Sequence, residues 1–131
     1  MPWGGILAVG SGAAIGAWLR WWLSVILNPV FPTMPLGTLV ANLIGGLLMG
    51  FAMEIIDRHT ALSLEVQLLA TTGFLGGLTT FSTFSADIVT LLLRKEYLWG
   101  MIAIASHVVG SLAMTILGIL MVRAVYSWVA A

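Results

Sequence analysis

Apolar residues run along this chain in four long blocks, parted by short polar breaks. The first block covers about 4–27 and stops at "NPVFPTMP", where Pro29, Pro32 and Pro35 forbid helix. The second covers about 36–56 and stops at "DRHT". The third covers 64–93 and the fourth about 98–126. Each reaches the roughly 20 residues a helix needs to cross a bilayer. Short connections make neighbouring helices antiparallel, so 1–131 reads as a single integral membrane domain of the all-α class. Trp3, Trp99 and Trp128 stand near block ends, where tryptophan anchors the interface.

The third block breaks the pattern. A straight helix from Leu64 to Leu93 is about 45 Å long, against about 30 Å of hydrocarbon. Its middle, "TTGFLGGLTTFSTFSAD", concentrates glycine, hydroxyl residues and phenylalanine. This predicts two half-helices meeting near the midplane, with "LTT" capping the second. Such a break frees carbonyls at the end of the first half, suited to a small cation. It frees N–H groups at the start of the second, suited to an anion.

Composition sharpens the picture. Of 131 residues, 60% are hydrophobic and 8% charged, and mean hydropathy is +1.10, far from a soluble domain. With no cysteine, disulfides and thiolate chemistry are excluded. No basic run points to nucleic acid. His59 and His107 lie too far apart for a paired metal motif. The N-terminus has no Lys or Arg before its apolar run, so it is read as a permanent span rather than a cleaved signal.

Charge barely favours either orientation. Four spans put both chain ends on one side, with Arg58 and Arg123; Arg94 and Lys95, joined by Arg20 if it reaches that way, take the other. A flat count allows insertion both ways, and two opposed copies can then pair about an axis in the membrane plane. The alternative is that a small bias or a partner fixes one orientation. Gly12 and Gly16, and Gly46 and Gly50, form GxxxG pairs that let helices approach closely.

Polar residues inside the blocks are the functional candidates. Asn42 and Thr38 share a helix face; the amide either donates into a cavity or bonds a neighbouring helix. His107, Ser111 and Thr115 recur every fourth residue, a polar stripe able to line a path. Arg20 either snorkels to the interface or faces a vestibule. Asp87 pairs with a cation or caps a helix. Phe81 and Phe84 share a face, and their rings either pack or turn positive edges toward an anion. Glu54, Asp57, Arg58 and Glu65 gather around a loop and read as solvated.

"GFLGGLTTFSTFS", together with "GAWLRW", "GTLVANLIGG" and "HVVGSLAMT" in that order, resembles the Fluc (CrcB-type) fluoride channels over nearly the whole chain. The resemblance implies a passive fluoride channel in a prokaryotic inner membrane, working as an antiparallel, dual-topology homodimer with two pores. It implies a structural sodium ion at the dimer centre, held by the carbonyls of Gly76 and Thr79. It implies a pore using Asn42, Phe81, Phe84, Thr38, Ser82, His107, Ser111 and Thr115, and a vestibule at Arg20. Asp87 stands where some members carry Glu. A dual-topology drug/proton antiporter is the rival, but its first span needs a buried carboxylate, and none is present here. A helper subunit that only packs against a partner leaves the polar stripe without a purpose.

Overall fold

The computed structural model describes residues 3–131 and is helical almost throughout. Helix α1 is Trp3–Leu27, followed by a 3-10 turn at Asn28–Val30. Asn28 Oδ1 accepts the Gly37 N–H at 2.8 Å, drawing the proline loop back onto the start of α2, Leu36–Arg58. Helix α3, Leu64–Leu68, is capped by Ser63, whose hydroxyl accepts the Val66 N–H at 3.3 Å.

From Leu69 to Leu75 the third stretch widens into a π-helix, then resumes as α4, Gly76–Leu78. Thr79 (ψ 154°) and Thr80 (φ −151°, ψ 124°) are extended. Helix α5, Phe81–Leu93, begins under the Thr80 hydroxyl, which accepts the Thr83 N–H at 3.1 Å. It closes on a left-handed residue, Lys95 at φ 61°, as Glu96 N–H returns to Leu91 O and Lys95 N–H to Leu92 O. Helix α6, Tyr97–Ala130, is the longest at 34 residues. Among the described residues, four helical stretches are thus long and apolar enough to cross a membrane.

Glycine decides which helices touch. A Cβ on Gly12 would stand 2.8 Å from Phe74 N and 3.1 Å from Gly73 Cα. Gly16 and Gly77 repeat that intimacy, so α1 lies backbone to backbone on the π segment and α4. Along a second seam, a Cβ on Gly46 would stand 2.8 Å from Ser111 O, and one on Gly50 3.0 Å from Gly118 Cα. That seam joins α2 to α6. The π-helix has no signature in the residue pattern; it lies where α1 comes closest.

Two small cores fill the gaps, one around Leu23, Ala41, Leu75 and Leu78, the other around Phe84, Ile88, Leu91 and Ala103. Most other large apolar side chains face outward, as lipid-facing helices require.

The expected solvated charge cluster is corrected in one member. Glu54 is buried at 7% exposure, on the α2 face that meets α6. Its Oε1 accepts from Arg58 Nε at 3.0 Å, and Oε2 lies 3.1 Å from Arg123 Nε. Two guanidiniums bracketing one carboxylate make that burial tolerable.

Candidate functional site

Thr80 is the hinge of the site. Asn42, on α2, grips it from both sides: Oδ1 accepts the Thr80 N–H at 2.8 Å, and Nδ2 donates to the Thr80 carbonyl at 3.1 Å. That pair fixes which way the amide faces. The same Nδ2 lies 3.0 Å from His107 Nδ1 on α6, so the imidazole accepts there and carries its hydrogen on Nε2. One amide therefore ties together α2, the extended pair and α6.

The grip has an electrostatic consequence. In an uninterrupted helix the Thr80 N–H would return to Gly76 O, and the Thr83 N–H to Thr79 O. Here Thr80 N–H goes to Asn42, and Thr83 N–H to the Thr80 hydroxyl. Gly76 O and Thr79 O are left without those donors. Uncharged oxygens of this kind suit a weakly held monovalent cation, but two are too few for a complete shell, so such an ion needs ligands from elsewhere. Among the described residues no group of His, Cys, Asp or Glu can hold a metal.

Beside the hinge runs a groove of about 480 Å³. Asn42, Phe81, Phe84, His107, Ser111 and Thr115 line it, with Gly76 and Thr79 on the same wall. Phe84 is buried, its ring centroid 4.5 Å from that of His107. Phe81 meets Phe84 edge-on at 5.4 Å and 62°, yet is 78% exposed. The stripe on α6 differs residue by residue. Thr115 Oγ1 lies 3.0 Å from both Gly46 O and Ser111 O, so its hydrogen is committed to backbone. The Ser111 hydroxyl has no partner among the described residues and is the spare donor on the wall.

The remaining candidates lie outside the groove. Thr38 is buried at 1% exposure. Ser82 is exposed, its Oγ 3.3 Å from Thr80 Oγ1. Arg20 turns inward, Nε donating to Gly77 O at 3.0 Å. Asp87 keeps Oδ2 buried without a hydrogen-bond partner. Of the other lining residues, Thr71 and Thr80 lie in the marked run with no pore role assigned to them, and Met49 carries no mark at all. "LTT" signals a cap, but nothing in the chain shows that Asn42 will seize it.

Residues 7–119 match the family described as CrcB-like protein, Camphor Resistance (CrcB). The chain belongs to the CrcB family. Among CrcB relatives, the fluoride-specific ion channel FluC of Nitrosospira multiformis is 61% identical over 118 residues, 90% of this chain and 92% of that one. The FluC proteins of Cupriavidus metallidurans and Ralstonia nicotianae are 52% and 53% identical, over 92% and 91% of this chain and 95% and 94% of theirs.

Proposed function

We propose that this CrcB protein is a passive, fluoride-selective channel that lets cytoplasmic fluoride leave a prokaryotic cell through its inner membrane. It is not an enzyme. In this reading it works as an antiparallel, dual-topology homodimer with two pores, the third span broken near the midplane. The observation that carries the reading is the single groove shared by two phenylalanines, the Asn42 amide and a spare serine hydroxyl.

Fluoride is small and holds its water tightly, so a path must offer close donors in exchange. Ser111 stands ready to donate. The Asn42 amino group reaches a passing ion by yielding its bond to His107. Ring edges of Phe81 and Phe84 add positive partial charge without gripping the ion as a full cation would, which favours release. Thr38, Ser82 and Arg20, which lie outside the groove, are assigned to the path as the family resemblance implies, Arg20 supplying positive potential at its vestibule. A structural sodium ion at the dimer centre takes the Gly76 and Thr79 carbonyls, with the second copy completing its shell. Asp87 has no assigned step.

Ion efflux from liposomes holding the purified chain tests the reading. Fast fluoride loss without chloride loss, and without a proton gradient, is expected; no fluoride flux from folded protein would refute it. Phe81→Ile is expected to lower fluoride efflux by about tenfold or more, a barrier change of about 1.4 kcal/mol. Its melting temperature should hold, because the ring is largely exposed. Phe84→Ile should lower flux comparably and stability as well, since Phe84 is core. Unaltered flux in both removes the pore role.

Gly76→Val separates two kinds of damage. A Cβ there meets only Thr71 O at 3.8 Å, so the chain's own fold should survive. Loss is expected instead in dimer stability and retained sodium, followed by size-exclusion chromatography and elemental analysis. A normal dimer with its sodium would overturn the ion assignment.

A further inference from the structure

Far along the α2–α6 seam from Asn42, the buried Glu54 leaves positive charge over. Glu54 is shared by Arg58 and Arg123, two cations on one carboxylate. Arg58 approaches with Nε and one Nη, both on Oε1. Arg123 approaches only with Nε, and its side chain is 60% exposed. Neither Nη of Arg123 has a partner among the described residues. Asp57, the other carboxylate at this end of α2, pairs with neither arginine. The Tyr126 ring lies under the Arg58 guanidinium at 4.6 Å, and its hydroxyl bonds His59. A cluster of arginine, tyrosine and histidine at the ends of two spans stands at headgroup depth.

Next to this cluster is an apolar groove of about 310 Å³, walled by Phe51, Ile55, Met121, Val122, Val125 and Tyr126. Tyr126 belongs to both, so groove and charge are continuous. A cleft of hydrocarbon side chains ending under unsatisfied guanidinium donors has the shape of one kind of molecule. We propose that this end of α2 and α6 binds a single anionic phospholipid, its phosphate on Arg123 and Arg58 and an acyl chain along the groove. The arginines then serve two anions at once: Glu54 within the protein and the lipid outside it. Guanidinium suits this, because its fan of N–H groups can engage two acceptors in different directions. The inference is independent of the fluoride reading, requiring only that the chain sits in a bilayer.

Native mass spectrometry of the purified full chain tests it. The probes are phosphatidylglycerol and phosphatidylcholine with matched acyl chains, and inorganic phosphate alone. Phosphatidylglycerol is expected to be retained about fivefold over phosphatidylcholine, the size of one arginine's pull on an anionic headgroup. Arg123→Gln should bring that ratio close to one. Val125→Trp fills the groove, leaves the ion pairs in place and should lower retention of both lipids, so the proposal stays testable if Arg123→Gln fails to fold. Equal retention of the two lipids by the unaltered chain overturns it. So does an unchanged ratio in Arg123→Gln, or stabilisation by inorganic phosphate with no preference between lipids. If Val125→Trp alters the oligomeric state and not the lipid retained, the groove belongs to a second copy and the proposal fails.

Discussion

Asn42→Ala is expected to abolish fluoride efflux and to destabilise the protein at the same time. The amide makes both of its Thr80 contacts through one planar group, so its loss strands an N–H and a carbonyl together. Thr80 is half-buried, so neither group regains full solvation. At about 1 kcal/mol for each half-buried group, the cost is about 2 kcal/mol, a large share of a marginal stability. Freed of its partner, Thr80 N–H can turn back toward Gly76 O, which would also close a carbonyl that the proposed sodium ion needs. His107 loses its donor and can change ring orientation. Asn42→Asp divides these effects: the carboxylate still accepts from Thr80 N–H but cannot donate to its carbonyl, and it sets negative charge on the proposed anion path. Its stability should fall less than that of the alanine variant, while flux should fall as far. Thermal unfolding in detergent, read beside liposome efflux, distinguishes the two. An alanine variant that conducts fluoride normally would end the role assigned to this amide.

The second large effect is steric. Gly16→Val is expected to yield little or no folded protein. Even the first carbon of a side chain at Gly16 would overlap the Phe74 carbonyl oxygen, with Leu78 N at 2.7 Å and Gly77 C at 3.1 Å. All three neighbours are backbone, so none can rotate aside, and α1 must move away bodily. Overpacking of well-fitted sites costs typically about 1–3 kcal/mol, and a backbone clash belongs at or beyond the top of that range. Gly10 supplies the control on the same helix. A Cβ there meets nothing within 4 Å, so Gly10→Ala should be neutral or stabilising by up to about 1 kcal/mol through helix propensity. The monodisperse fraction in detergent and the melting temperature of each read the outcome. Equal behaviour of the two variants would refute a close backbone seam at Gly16.

What the chain discloses in advance depends on how far apart the interacting residues lie. The four membrane-length stretches are legible because each is a long, mainly apolar run ended by proline, charge or turn. The α6 stripe and the Phe81–Phe84 pair are legible because helix neighbours recur every three or four residues. Asn42 stands out as polar, but its partner lies 38 residues away, beyond any periodic signal. Glu54 looks like an exposed loop charge until α6 folds over it and brings Arg123. Gly73, Gly76 and Gly77 look alike as letters. In space, Gly73 and Gly77 face α1, whereas Gly76 opens on the groove. Equivalence in composition conceals a division between packing and chemistry that only the fold separates.

The two glycine seams also bear on how the protein is made. They join the first helical stretch to the third and the second to the fourth, not neighbours in the order of synthesis. When the first hairpin has left the ribosome, both of its glycine faces are still bare, and nothing already synthesised can cover them. The second seam must wait for α6, so the early hairpin is first held only by its own loop bond from Gly37 to Asn28 and the packing of Leu23 on Ala41, with lipid and insertion machinery around it. A truncated chain ending before Tyr97 is left with one seam closed and one open, a natural substrate for membrane quality control.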